Sequence, residues 1–130
     1  MYHSAKRMDM TIPYTKDEIN KACKQITKIQ NIQNGYVRPF AWRGSEMMGV
    51  SAQKTKINVA VATWEWDDYF DPKLKIEGIK LTVSNWRRPA PNTIPWDSKA
   101  AGVYMICTLS KHEACRLYTS TSPRDGLLAR

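Results

Sequence analysis

The chain has 130 residues, 42% of them hydrophobic and 25% charged, which bounds it to one globular domain with a modest core. Lys and Arg number 20 against 12 Asp and Glu, for a net charge of +8, but the basic residues are scattered singly or in pairs. That pattern reads as a solvated surface rather than a stripe tracking phosphates, so no nucleic-acid partner is expected. No apolar run reaches the ~18 residues that span a bilayer, and the opening "MYHSAKRMDM" has no apolar leader core; a cytoplasmic protein with no membrane partner is expected.

In chain order, "HSAKRMDM" resembles the inside of a helix. From Thr15 to Gln33, Ile19, Cys23, Ile26 and then Ile29 or Gln30 recur at helical spacing, and Thr15 with Glu18 stands in capping-box register. Asn34-Gly35 is the expected stop. Tyr36 to Trp42 reads as a strand in which Pro39 demands an edge, a bulge or a gap in the ladder. A Gly-containing loop, "GSEMMGVSAQKTK", leads to a second strand over Ile57 to Thr63; a third is predicted over Gly78 to Ser84, after the aromatic-rich "WEWDDYFDPKLKIE". Beyond the prolines of "RRPAPNTIP", a helix is predicted from Asp97 or Ser98 through "KAAGVYMICTLSKHEA", with Val103, Ile106 and Leu109 on one face. Lys99 then falls in its first turn. There the helix dipole and partial burial by Ile94, Trp96 and Tyr104 would favour the neutral amine that attacks a carbonyl. On spacing alone, a solvated surface lysine is the ordinary reading.

Cys23, Cys107 and Cys115 show no C-x-x-C spacing, and His3 and His112 lie near opposite ends. Neither a disulfide framework nor a metal centre is expected.

The motifs are more specific than the periodicity. "GYVRP" at Gly35 to Pro39, "MGV" at Met48 to Val50, "WDDYF" at Trp66 to Phe70, "SNWRRPAPNTIP" at Ser84 to Pro95 and "KAAGVY" at Lys99 to Tyr104 together resemble the branched-chain amino acid aminotransferases. These are fold-type IV enzymes dependent on pyridoxal 5′-phosphate (PLP), and order and spacing agree from about Tyr2 to Ala114. The resemblance implies that Lys99 is the Schiff-base lysine, both holding the cofactor and moving the proton. It implies that Tyr104 hydrogen-bonds the phenolic oxygen of PLP, that Arg38 receives the side-chain carboxylate of glutamate, and that Tyr36 lies near the substrate α-carboxylate. Residues two apart on a strand share a face, so Tyr36 and Arg38 can serve one pocket. Trp66 and Tyr69 match residues lining that pocket. Val50 matches a residue contributed across a dimer interface, which implies a homo-oligomer of at least two subunits. Val103 departs from the family's usual Asn without disturbing the register of Lys99 and Tyr104.

The implied fold is α/β (α+β): a truncated small domain (1–95), with an antiparallel sheet and a packed helix, and the start of a larger PLP-binding domain (96–114). Residues 115–130 are expected to be a non-homologous tail. The implied activity is transfer of an amino group between Leu, Ile or Val and 2-oxoglutarate, with glutamate as the companion substrate. The family's phosphate-binding arginine and the glutamate facing the pyridine nitrogen are not in this stretch, so an internal fragment, incomplete and inactive alone, is expected. The alternatives are another fold-type IV enzyme, such as a D-amino acid aminotransferase or aminodeoxychorismate lyase, and a non-catalytic basic binding module. "YVRP" with "SNWRRPAPNTIP" argues against the former; the net charge and "NWRRP" alone support the latter.

Overall fold

The computed structural model describes residues 1–66 and 70–118. The fold is α+β, and the chain divides into two compact units, Met1–Asp67 with Asp97–Lys99, and Asp68–Trp96 with Ala100–Arg130.

The first unit contains helices α1 (Tyr2–Arg7) and α2 (Lys16–Ile29) and strands β1 (Gly35–Arg43) and β2 (Ile57–Glu65). The capping box starts α2: the Thr15 hydroxyl accepts from the Glu18 amide at 3.2 Å, and the Glu18 carboxylate accepts from the Thr15 amide at 2.7 Å. These bonds, the one from the Thr15 amide foremost, hold the Glu18 carboxyl below its ordinary range. The helix ends at Ile29, short of the predicted Gln33, because Asn31 takes a left-handed φ of 50°, a conformation asparagine tolerates better than most residues. Gly35 acts otherwise than as a helix stop. A Cβ there would lie 2.5 Å from both the Trp64 carbonyl oxygen and an Ile32 methyl, so only glycine lets the chain enter β1 at this distance.

β1 and β2 form an antiparallel pair with Tyr36 opposite Trp64, Arg38 opposite Ala62 and Pro39 opposite Val61. The sheet has two strands among the described residues; each is an edge, which is where a proline is tolerated. Alternation gives the hairpin two faces. Val59 and Val61 share an apolar groove with Ile19, Ala22 and Ile26 of α2. The opposite face carries Tyr36, Arg38, Phe40 and Trp42 from β1 and Trp64 from β2. One of the basic residues is structural: Arg43 donates to the carbonyls of Met8 (3.1 Å), Asp9 (2.6 Å) and Ala52 (3.2 Å), satisfying backbone groups at the end of α1 and in the 44–56 loop.

In the second unit, α3 (Pro72–Glu77) was not anticipated from the sequence. Its signal is Asp71-Pro72, a cap whose carboxylate accepts from the Lys73 amide at 2.8 Å, followed by proline at the first helical position. The strand predicted over Gly78 to Ser84 is not formed. Ile79, Leu81 and Val83 keep the alternating pattern but are 48%, 78% and 87% exposed. A strand exists only through a neighbour's ladder, and no described residue supplies one.

The predicted C-terminal helix also begins later than expected. A 3-10 turn spans Ala101–Tyr104 and α4 spans Met105–Tyr118, while Ala100 is extended at φ −102°, ψ 142°. Lys99 therefore lies ahead of the helix rather than in its first turn, and it is exposed; the helix-dipole and burial arguments do not apply to it. The physical reason is that the two candidate caps are engaged with α1: Asp97 binds His3 and Arg7, and Ser98 contacts Met8. Residues 119–130 lie outside the described residues, so the expected tail is described only where α4 continues through 115–118. No helix among the described residues is long and apolar enough to cross a membrane.

Glu113 of α4 holds the segment where the predicted strand ends. Its carboxylate accepts from the Ser84 hydroxyl at 2.7 Å, the Asn85 amide at 3.2 Å and the Asn85 side-chain amide at 2.5 Å. The Ser84 bond is the main reason its carboxyl titrates below the ordinary glutamate range; partial burial opposes the shift, while the Asn85 bonds and the Arg116 charge add to it. A group with a depressed folded pKa contributes its stability above the unfolded pKa and loses it as pH falls through the folded value. The protection factor of the Asn85 amide in hydrogen exchange is therefore expected to fall on acidification below about pH 4. In Glu113→Gln, which cannot accept all three bonds, protection should be low at every pH. Unchanged protection in that variant would contradict the clasp.

Candidate active site

The outer face of the hairpin gathers aromatic rings around an arginine. The cross-strand pair Tyr36 and Trp64 stacks with ring centroids 5.1 Å apart and planes inclined by 28°. Trp66, just past β2, completes the cluster, with its centroid 5.7 Å from Tyr36 and 5.9 Å from Trp64. The Arg38 guanidinium carbon lies 5.2 Å from the Tyr36 ring and 5.3 Å from the Trp64 ring, within the range of cation–π attraction. Farther along the same face, Phe40 and Trp42 stack at 5.4 Å.

What Arg38 does not bind matters most. The ion pairs among the described residues are His3–Asp97, Arg7–Asp97 and Lys73–Glu77, and no described residue hydrogen-bonds the Arg38 side chain. Its flat fork of N–H donors is oriented by two rings and left open, which suits a planar carboxylate approaching from outside. Beside it, the ring faces form an apolar plate for an aliphatic group.

The structure thus brings Tyr36, Arg38 and Trp66 together, as expected from alternation and from the "WDDYF" motif. Trp64 belongs to the same cluster and was missed by sequence reasoning. Its signal, a tryptophan two residues before Trp66 in "TWEW", acquires meaning only once the hairpin register sets it opposite Tyr36. Lys99 belongs to the same unit, on the Asp97–Lys99 segment, where its backbone amide donates to the Ser4 hydroxyl at 2.8 Å. Tyr104 belongs to the second unit, half-exposed at the end of the 3-10 turn. Val50 is fully exposed, at 105%, and touches none of the cluster within this chain. Tyr69 lies outside the described residues.

The Arg38 fork over the aromatic rings and the segment carrying Lys99 belong to one unit of the chain. The family model for amino-transferase class IV matches residues 1–119, and the chain belongs to that family. It is 35% identical over 114 residues, 88% of this chain and 37% of the relative, to a branched-chain-amino-acid aminotransferase of Pseudomonas aeruginosa. It is 36% identical over 111 residues, 85% of this chain and 37% of the relative, to a probable branched-chain-amino-acid aminotransferase of Rickettsia bellii. To the branched-chain-amino-acid aminotransferase of Escherichia coli K12 it is 33% identical over 117 residues, 89% of this chain and 38% of the relative. The chain therefore spans little more than a third of the length of these relatives.

Proposed function

We propose that this chain supplies the substrate-facing hairpin and the cofactor lysine of a PLP-dependent transaminase acting between branched-chain L-amino acids and 2-oxoglutarate, with glutamate as the companion substrate. The observation that carries the reading is the open Arg38 fork held over the Tyr36 and Trp64 rings. Such an enzyme must accept an aliphatic side chain and a distal carboxylate in one pocket. The ring faces of Tyr36, Trp64 and Trp66 suit the first, and the Arg38 donors suit the second.

The residues present also fit the cofactor. Lys99 carries a primary amine on a segment whose backbone is tied down by a hydrogen bond, and Tyr104, half-exposed, carries a phenol five residues on. When bound, PLP supplies the electron sink that makes the substrate Cα proton removable. Lys99 would hold the cofactor covalently, and its Nζ would serve as the base for the substrate Cα proton. By the family resemblance, the Tyr104 hydroxyl would donate to the phenolic oxygen of the cofactor. Tyr36 orients the α-carboxylate, and Trp66 and Tyr69 wall the side-chain pocket. In this reading Val50 enters the site of a partner subunit in a homo-oligomer of at least two chains, residues 96–114 open the cofactor domain, residues 115–130 are a separate tail, and the setting is cytoplasmic.

The test is a chimera in which residues 1–114 of this chain replace the matching segment of the Pseudomonas aeruginosa relative. Transamination of leucine, isoleucine and valine with 2-oxoglutarate is expected. A folded, PLP-binding chimera that uses D-alanine in their place, or none of the three, would overturn the reading.

A further inference from the structure

The segment carrying Lys99 is gripped by one short helix and its C-cap, 90 to 95 residues earlier in the chain. Three consecutive residues are held. The Asp97 carboxylate accepts from Arg7 Nε at 2.9 Å and pairs with His3 Nε2 at 3.1 Å. Ser98 is buried at 4% exposure, as is Ala5 of α1 at 3%, and its hydroxyl donates to Met8 Sδ at 3.9 Å. The Lys99 amide donates to the Ser4 hydroxyl at 2.8 Å.

His3 and Arg7 are four apart, one helical turn, so both reach the same carboxylate from one face of α1. Partial burial alone would raise the Asp97 carboxyl, but the bonds from Arg7 and His3 outweigh it and hold it below its ordinary range. The contact spends on this segment the Asp and Ser that would otherwise cap the following helix, and it leaves Lys99 outside that helix with its backbone fixed on α1. A cap and a solvated loop would have been the default for "WDSK".

We propose that α1 is a latch: His3, Ser4 and Arg7, acting through Asp97 and the Lys99 amide, are positioning residues that set where the Lys99 amine stands. This rests on the reading of Lys99 as the cofactor lysine. The side chain has four methylene groups of freedom, so a fixed Cα is what confines the amine to a small volume. Misplacing a reacting group by about 1 Å costs on the order of 100-fold in rate even when substrate binding is intact.

Two measurements test it. In this chain without cofactor, Ser4→Ala is expected to raise the exchange rate of the Lys99 amide about tenfold while amides of β1 and β2 are unchanged, and Ser4→Thr, which keeps the hydroxyl, should restore protection. An unchanged Lys99 rate in Ser4→Ala would overturn the latch. In the chimera, Asp97→Ala is expected to lower kcat about 10- to 100-fold and weaken the visible absorption band of bound PLP, with KM for leucine and 2-oxoglutarate unchanged. An unchanged kcat, or a loss that accompanies a lowered melting temperature and raised KM for both substrates, would overturn it. Lys99→Ala separates the two claims. If that variant keeps band and turnover, the reading of Lys99 fails; if it loses both while Asp97→Ala behaves as the parent, only the latch fails.

Discussion

Lys99→Ala and Lys99→Arg in the chimera are expected to remove the visible absorption band of bound PLP and to reduce turnover of leucine with 2-oxoglutarate by at least 10²- to 10⁴-fold, the range that proton transfer by a positioned side chain contributes. The sequence has 20 Lys and Arg, so a charge-only role would be covered by neighbours. The amine's chemistry would not. Arginine keeps the charge and much of the length but stays protonated, so it can neither attack a carbonyl nor accept the Cα proton. Absorption spectra and single-turnover rates check this, and a Lys99→Arg variant that retains the band would sink the assignment. Because Lys99 stands outside the helix, its suitability rests on being held, by Ser4 at its amide and by α1 at Asp97, more than on a helix end.

Arg38→Ala is expected to separate the two half-reactions. Removing a charge-assisted donor pair costs about 1.5–3 kcal/mol, roughly 10- to 150-fold in kcat/KM for 2-oxoglutarate and glutamate. The leucine half-reaction, whose side chain meets the rings of Tyr36, Trp64 and Trp66, should change by less than about threefold, since no hydrogen bond to that side chain is lost. Arg38→Lys should recover only part of the loss, because an ammonium is a point charge and cannot offer the planar fork. Equal loss for leucine and 2-oxoglutarate in Arg38→Ala would mean that Arg38 supports the fold or binds the α-carboxylate common to both.

The local parts of this architecture were legible before the structure. Thr15 and Glu18 announce the start of α2, alternation puts Tyr36 and Arg38 on one face, and Pro39 limits its strand to an edge, a bulge or a gap in the ladder, of which the structure shows an edge; each depends on residues within a few positions of one another. What was not legible depends on contacts made at a distance. Trp64 joins the site only through a register set across the 44–56 loop, whose length and conformation, including the left-handed Ala52, the hydrophobic pattern does not specify. Gly78 to Ser84 has the alternation of a strand, but a strand is a property of two segments, and no described residue pairs with this one. Asp97 and Ser98 look like caps for the helix that follows; their engagement with His3, Arg7 and Met8 is a tertiary contact that no local pattern encodes. The motif-based proposal for Lys99 does not depend on the helix assignment that the structure corrects, since the family resemblance rests on the order of residues and not on their secondary structure.

Reductive trapping tests most directly whether Lys99 is the amine that takes the cofactor. The chimera is incubated with PLP, reduced with borohydride, digested and mapped by mass spectrometry. A single stoichiometric phosphopyridoxyl adduct is expected on the peptide containing Lys99, lost in Lys99→Ala. A stoichiometric adduct on another lysine, or label spread over surface lysines and unchanged in Lys99→Ala, would contradict it.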